Sequence, residues 1–239
     1  MQDHLRRLRV LPRLQRSVTP RVFLLSPARC RGPRASLLTE PRSRFQLAAR
    51  LRTTDGVPLG ELMSFLSGLY FRGKLRYARA FARPPVGLDE GAFVITPHAG
   101  LRSPETRLSL TEFKAAGRVD IRANNPRYRK PLEATAAALS TLLGPEGEAV
   151  LLGSVATGKY VDVLTKTFGD RLRFPVEFVG RGDMSRGGLM LRCVTARQEL
   201  TYVAIGPETA RHGPRPPKLE PLRGRAATPR LTLREATRS

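Results

Sequence analysis

Three short apolar segments, each followed by a small polar or glycine-rich turn, constrain the fold of this chain most strongly. They are Val22–Leu25 before Ser26, Ala92–Thr96 before Pro97, and Glu148–Gly153 before Ser154. Their apolar residues run without alternation, a pattern typical of strands buried on both faces of a sheet. Segments with helical spacing lie between them, so the sequence predicts a mostly parallel α/β sheet.

Four segments have the apolar spacing or the flanking residues of helices. They are Pro41–Arg50, Pro58–Ala82, Pro131–Leu143 and Tyr160–Phe168. Gly68 and Gly73 interrupt the second segment, which is therefore either one helix or two. Pro131 is expected in the first turn of the third helix, where its missing N–H costs nothing.

The last part of this region is predicted to form strands. Leu172–Phe178 fits a fourth strand, and Leu189–Val194 with Leu200–Ile205 fit a hairpin across residues 196–199. The predicted fold class is therefore α/β, a mostly parallel three-layer sheet of Rossmann-like type with an antiparallel edge hairpin.

Positive charge is concentrated at the two ends of the chain. The 239 residues carry 42 Lys and Arg against 20 Asp and Glu, a net charge of +22. Residues 1–20 and 206–239 are expected to be disordered, Arg-rich extensions around a single α/β domain over 21–205. The first extension is alternatively a targeting presequence or an over-long start. Such tails would bind nucleic acid weakly and in a salt-dependent way.

Composition excludes several classes of protein. No apolar run approaches the roughly 18 residues of a membrane-spanning helix, so no membrane partner is expected and the chain is predicted to be cytoplasmic. Cys30 and Cys193 lie far apart and form neither a disulfide framework nor a CxxC pair. Neither a metal nor a cofactor is therefore expected.

Polar residues follow the three apolar strands at the point where each strand ends. Ser26, Thr96 and Ser154 occupy these positions. Because the carboxyl ends of parallel strands share one edge of the sheet, these residues are expected to meet around a ligand crevice. The alternative is that short polar residues simply end strands.

The segment Gly153–Tyr160 (GSVATGKY) fits the spacing of a phosphate-binding loop. In such a loop, residues like Gly153, Ser154 and Gly158 let backbone N–H groups face a phosphate, and Lys159 pairs with its oxygens. Tyr160 stands where a magnesium-binding Ser or Thr is required, so a magnesium-dependent NTPase is not expected. A metal-free phosphate contact and a plain strand-to-helix turn both remain open.

A second glycine-rich segment, Gly180–Gly188 (GRGDMSRGG), is predicted to be a loop before the hairpin. Arg181, Ser185 and Arg186 would bind an anion there, with Arg181 or Arg186 sharing it with Lys159. Asp183 would orient an arginine or act as an acid/base. The alternative is a flexible surface loop.

The segment Ser67–Lys74 (SGLYFRGK) combines aromatic and basic residues. Tyr70 could stack on a base while Arg72 and Lys74 hold a phosphate. The alternative is a core aromatic pair, Tyr70 and Phe71, with a solvated basic face.

Two further residues are candidates for chemistry. His98, the one histidine within 21–205, follows a strand and is a candidate general acid or base, or merely a hydrogen-bonded loop residue. Cys30 lies between two arginines that would favour its thiolate, but no histidine is positioned by sequence as its base.

Several of these motifs resemble those of a bacterial family of unassigned function. The shared motifs, within about residues 22–205, are LSPARCRG, FLSGLYFRGKL, ITPHAGL, LLGSVATGKYVDVL and FVGRGDMSRGGLMLRC. The order of Gly68–Lys74 and Pro97–Leu101 also loosely resembles small Rossmann-like domains, some of them associated with nucleoside and modified-base metabolism. That resemblance implies a nucleotide-like ligand and assigns no reaction.

Two functions fit these observations. The first is an enzyme acting on a nucleotide, nucleoside or nucleic-acid base, with Lys159 and Arg181 or Arg186 on phosphate and His98 or Asp183 as acid/base. The second is a non-catalytic basic protein that binds nucleic acid or an acidic partner through its tails.

Overall fold

The computed structural model of the chain describes residues 19–206 and 209–219. Its strands are β1 (Arg21–Leu25), β2 (Val57–Pro58), β3 (Ala92–Thr96), β4 (Gly100–Arg102), β5 (Arg107–Leu108), β6 (Glu148–Leu152), β7 (Leu172–Pro175) and β8 (Tyr202–Ala204). The main sheet has the order β4-β3-β1-β6-β7-β8, and β2 pairs with β5 separately. Strands β3, β1, β6 and β7 are parallel, whereas β4 and β8 are antiparallel edge strands.

Helices cover both faces of the main sheet. They are α1 (Pro33–Thr39), α2 (Gln46–Leu51), α3 (Leu59–Ser67), α4 (Leu69–Phe81), α5 (Leu110–Gly117), α6 (Pro126–Leu143), α7 (Gly158–Phe168) and α8 (Asp183–Ala196). Residues of α3, α4 and α8 belong to the core on one face, and residues of α6 and α7 belong to the core on the other. The structure is therefore of the α/β class, as the sequence predicts.

Burial on both faces explains why β1 shows no apolar–polar alternation. Phe23 and Leu25 belong to one core, Val22 and Leu24 belong to the other, and all four are fully buried. Burying each such side chain contributes about 1.5–3 kcal/mol. A strand in the middle of two helical layers thus needs apolar residues at every position.

The predicted parallel arrangement of the first three strands is confirmed. Strand β1 pairs in parallel with β3 on one side and with β6 on the other. The strand predicted over Leu172–Phe178 is also parallel to β6, although it ends at Pro175 and continues as a 3-10 turn. The carboxyl ends of these strands consequently lie along one edge of the sheet.

The hairpin predicted over Leu189–Val194 and Leu200–Ile205 is wrong. Residues Asp183–Ala196 form α8, and β8 returns from that helix to pair with β7 at the edge. The buried residues of α8 are Gly187 and Met190, three positions apart, so the helix buries a narrow strip against the rest of the domain. A different antiparallel hairpin, which the sequence did not predict, lies at the opposite edge, where β3 turns back into β4.

Other helix boundaries differ from the predicted ones for local reasons. Helix α6 begins at Pro126, capped by the Asn125 side chain, so Pro131 lies inside the helix and not in its first turn. The helix predicted from Pro41 begins only at Gln46. The long segment from Pro58 forms two helices, which separate at Gly68, where φ is +61° and a residue other than glycine would be strained.

Most of the predicted extensions lie outside the described residues. Residues 209–219, the described part of the C-terminal one, contain no helix or strand, and the Pro217 carbonyl accepts a hydrogen bond from Arg181. Within the described ranges, no helix is long and apolar enough to cross a membrane.

Candidate functional site

The chain connections diverge at the carboxyl ends of β1 and β6. From β1 the chain passes to β3 on one side, and from β6 it passes to β7 on the other. In an open parallel sheet such a topological switch point leaves a crevice where ligands bind. Two cavities, of about 380 and 470 Å³, lie at this position.

The two cavities form one cleft with two lobes. Ala28, Arg29, Ile121 and Lys159 line both of them. We call the whole the switch-point cleft, its smaller part the Ser26 lobe and its larger part the Cys30 lobe, after a residue that lines each. Two cationic side chains, Arg29 and Lys159, thus belong to both lobes.

Five residues singled out from the sequence line the Ser26 lobe. They are Ser26, Tyr70, Ser154, Lys159 and Asp183. They come from the ends of β1 and β6 and from the first turns of α4, α7 and α8. The fold therefore brings one residue or more from each of the three predicted glycine-containing motifs to a single cavity.

The phosphate-loop-like motif places Lys159 at the start of a helix. Gly153 lets the ends of β1 and β6 approach, because a Cβ there would lie 2.9 Å from the Cβ of Ser26. Lys159 is the second residue of α7, after Gly158, and the preceding Thr157 makes no capping bond. Within the described chain the first N–H groups of the helix thus lack a side-chain partner, so their positive potential adds to the charge of Lys159. The Asp162 carboxylate lies beside Gly158 and offsets part of that potential.

The segment Gly180–Gly188 is not the predicted loop, because its second half is the first part of α8. Gly187 faces α4, where a Cβ would lie 2.8 Å from the carbonyl oxygen of Leu69. This glycine therefore permits close helix packing and is not free to face an anion. Asp183, the first residue of α8, lines the Ser26 lobe.

The arginines and the serine of the Gly180–Gly188 segment form hydrogen bonds with one another or with carbonyl groups a few residues earlier in the chain. Arg181 donates to the Glu177 carbonyl and to the Ser185 hydroxyl, at 3.1 and 3.2 Å. Arg186 donates twice to the Phe178 carbonyl, at 3.1 and 2.9 Å. Arg181, Ser185 and Arg186 are absent from the lining of both lobes, so Asp183, and neither arginine of this segment, shares the cavity with Lys159.

Lys74 lies buried beneath the Ser26 lobe. It is 1% exposed, and its amine donates to the Ser26 carbonyl and lies 2.9 Å from the Ser26 hydroxyl oxygen. Burial lowers the pKa of Lys74 to about 7, opposed by the charge of Asp183. The amine is consequently present in both protonated and neutral forms near neutral pH. Neither sequence alternative, a surface phosphate ligand or a solvated basic face, foresees this burial.

The Tyr70 hydroxyl makes no hydrogen bond of ordinary geometry within the described chain, although Arg186 and Ser26 lie close enough to interact with it. Tyr70 lines the Ser26 lobe, is 6% exposed, and places its ring 4.2 Å from the Lys74 amine. Burial raises the pKa of Tyr70, and the nearby Arg186 opposes the rise. Buried hydroxyls are nearly always paired at good geometry, so this one retains capacity to bond to a ligand in the lobe.

Thr96 ends β3 and His98 lies in the turn that follows, and neither residue lines the cleft. The Thr96 hydroxyl donates to the Gly100 carbonyl at 2.8 Å and accepts from the Ala99 N–H, so it fixes the turn. Burial lowers the pKa of His98, and its Nδ1 is buried without a partner in the described chain.

Arg72 and Cys30, two further candidates from the sequence, do not have the environments that the sequence predicts. Arg72 is exposed and lines a separate groove together with Phe45. Cys30 lines the Cys30 lobe, but burial raises the pKa of its thiol to about 12. The expectation that flanking arginines favour its thiolate is therefore wrong, because desolvation outweighs their charge.

Sequence reasoning missed three of the residues that line both lobes, Ala28, Arg29 and Ile121. Arg29 lies in the turn after β1, three residues beyond Ser26, and its position in that turn could have indicated it. Ile121 lies between α5 and α6 and carries no local signal, since only the fold brings it to the cleft.

Comparison of the chain with models of known protein families, with curated proteins and with solved structures gave no match.

Proposed function

We propose that this chain is an enzyme that binds a phosphate-bearing, nucleotide-like small molecule in the switch-point cleft and acts on that nucleotide, nucleoside or base. The observation that carries the proposal is that the Tyr70 hydroxyl, which makes no hydrogen bond of ordinary geometry, lies in a lobe lined also by Lys159 and Arg29. A buried donor with bonding capacity left and two cations in the same lobe together suit a ligand that combines an anionic and a polar aromatic part.

The two lobes suit the two parts of such a ligand. Arg29 and Lys159 line both lobes, so a phosphate held between them would leave each lobe open to the rest of the molecule. The volumes of about 380 and 470 Å³ lie in the range of roughly 300–1,000 Å³ that is usual for small-molecule sites. The strand order and the position of the cleft support a Rossmann-like assignment.

A magnesium-dependent NTPase mechanism is not part of the proposal. The residue after Lys159 is Tyr160, which is 4% exposed and packs in the core with Val161 and Leu164. Its side chain also borders the Ser26 lobe, where the Lys159 amine lies 5.1 Å from the centre of its ring. The magnesium-binding position of a phosphate loop requires a short hydroxyl side chain, which this aromatic ring does not replace. Phosphate binding here should therefore not depend on magnesium.

A thermal-unfolding screen of the full chain tests the proposal. The probes are inorganic phosphate, the common nucleoside monophosphates, the matching nucleosides and the free bases, each with EDTA and with magnesium. A monophosphate should raise the melting temperature more than its nucleoside, equally in both conditions, since a ligand at 100 times its Kd adds about 2.7 kcal/mol. No shift with any probe at millimolar concentration would contradict the proposal.

A further inference from the structure

We propose that Ser26 is the nucleophile of the switch-point cleft and that Lys74 is the general base that activates it. The inference deepens the proposed function and rests on it for the class of substrate, a phosphoester of a nucleotide-like molecule. It stands on the direct contact between the two side chains at the wall of the cleft.

The geometry gives each residue a distinct position. Ser26 directly follows β1 at the carboxyl edge of the sheet and lines the lobe, although it is only 5% exposed. Lys74 approaches it from α4 and donates from Nζ to the serine Oγ at 2.9 Å, while the Ser26 hydroxyl donates to the Leu152 carbonyl at 3.3 Å. The proposed activation therefore requires the hydroxyl proton to turn from that long bond towards a neutral Lys74 amine. The serine thus lies between the cavity and a lysine that solvent does not reach.

The surroundings of Lys74 permit a neutral amine. Its two hydrogen bonds within the described chain both go to Ser26, and neither joins it to a carboxylate. The charged and titratable groups that face it are Tyr70 on its own helix and Asp183 and Arg186 on α8. Burial brings the pKa of the amine to about 7, where a neutral lysine can accept a proton.

The chemical step follows from these positions. The Ser26 oxygen attacks the phosphorus of the bound phosphoester as its proton passes to the Lys74 amine. The new oxygen–phosphorus bond forms on one side of the phosphorus, the bond to the leaving oxygen breaks on the opposite side, and the leaving oxygen takes a proton from water in the cleft, which becomes hydroxide. That hydroxide attacks the phosphoserine from the cleft side, the bond from phosphorus to Ser26 breaks, and Lys74 returns its proton to the Ser26 oxygen, so the products are the alcohol, a phosphate and regenerated Ser26.

Arg29 and Lys159 give this step its electrostatic setting. Both line the lobe that contains Ser26. Cations placed beside a phosphoryl group stabilise the negative charge that develops on its oxygens, and they act most strongly where water is excluded. The same two residues that would hold the ligand would therefore assist its reaction.

The experiment is covalent labelling of the full chain with an alkyl fluorophosphonate, followed by intact-mass measurement and peptide mapping. Attack by a serine releases fluoride and leaves a stable phosphonyl adduct. We expect one adduct, on Ser26, formed at a rate that rises about tenfold per pH unit below the lysine pKa of about 7 and levels off above it. The variant S26A should give no adduct, whereas S64A, which removes a serine of α3 outside the cleft, should react like the parent chain.

The variant K74R distinguishes a general base at position 74 from a residue that only holds Ser26 in place by hydrogen bonds. Arginine keeps the charge but remains protonated, so labelling should fall at least 100-fold in a folded K74R protein. If K74R does not fold, the pH profile of the parent chain decides the question. No adduct on Ser26, or a labelling rate independent of pH between 5 and 8, would overturn the proposal. Lys74 would then only hold the end of β1 in place by its hydrogen bonds to Ser26. Labelling without nucleotide binding would refute the substrate class alone, and nucleotide binding without labelling would refute the dyad alone.

Discussion

Gly73 of α4 and Gly187 of α8 meet where the two helices cross, and a Cβ on Gly73 would lie 2.7 Å from the carbonyl oxygen of Gly187. Both glycines belong to segments whose sequences suggest anion binding. The contact shows a different role for them, because no side chain fits between the two backbones. The crossing also brings the charges of Asp183 and Arg186 close to Lys74.

The substitution Gly187→Ala should destabilise the protein. Its new methyl group would lie within 3 Å of the α4 backbone at Leu69 and Tyr70, and such overpacking costs about 1–3 kcal/mol. The neighbouring Gly188→Ala is the matched control, since its methyl group would meet only a leucine side chain at 3.5 Å. Alanine there should stabilise α8 by up to about 1 kcal/mol. Urea unfolding of both variants measures the difference, and equal effects would contradict the close contact.

The parallel sheet could be predicted from the sequence because the uninterrupted apolar runs of its strands indicate burial on both faces. Val22–Leu25 is apolar at every position, and only burial on both faces accounts for that. The same reasoning predicts that Ser26 and Ser154 lie at one edge, since parallel strands end together. These expectations needed no knowledge of which helix packs where.

Helix α8 and Lys74 could not be predicted in the same way. The glycines of Gly180–Gly188 disfavour a helix locally, and the contact of Gly187 with α4 that compensates for them is purely tertiary. A lysine beside aromatic residues is usually solvated, and the burial of Lys74 depends on the end of β1, 48 residues earlier in the chain. Both features follow from packing between distant segments.

The buried Lys74 should make stability depend on pH. Its pKa is about 7 in the native chain and has the ordinary lysine value of 10.5 in the unfolded chain, so between these values the unfolded chain holds a proton that the native chain lacks. Stability contributed through this group therefore rises as pH increases from 7 to 10.5, by up to about 1.4 kcal/mol per pH unit, and its cost is constant below pH 7.

The variant Lys74→Met isolates this effect from other titrations. Its free energy of unfolding, measured in urea at pH 7, 8 and 9, should rise less steeply with pH than that of the parent chain. Lys166→Met removes an exposed lysine of α7 and should keep the parent slope. Equal slopes for Lys74→Met and the parent chain would show that the amine stays protonated across this range.

Removing the Tyr70 hydroxyl should affect ligand binding and not folding. The hydroxyl makes no hydrogen bond of ordinary geometry in the described chain, so Tyr70→Phe should leave stability within about 0.5 kcal/mol of the parent value or raise it. Affinity for the monophosphate identified by thermal unfolding should fall about five- to tenfold, as expected for one lost hydrogen bond.

Tyr77→Phe is the contrasting control for that substitution. The Tyr77 hydroxyl bonds to Tyr202 and accepts from the Leu200 N–H at 2.7 Å, away from the cleft. Its loss should cost about 1–3 kcal/mol of stability because a buried N–H loses its partner, while ligand affinity stays the same. Calorimetric binding and urea unfolding of both variants would separate the two roles, and unchanged affinity in Tyr70→Phe would remove Tyr70 from the site.

Lys159 should contribute to phosphate binding through its charge and its place in the first turn of α7. It lines both lobes, and a charge-assisted hydrogen bond to a phosphate is worth about 1.5–3 kcal/mol. Lys159→Ala should therefore weaken monophosphate binding by at least tenfold and weaken binding of the uncharged nucleoside much less. Lys166→Ala, which removes an exposed lysine near the other end of the same helix, should change neither affinity.

Calorimetry at two salt concentrations completes the test, because the contribution of an ion pair in this open cleft falls as salt increases. Equal losses for the monophosphate and the nucleoside would mean that Lys159 shapes the cleft and does not pair with phosphate.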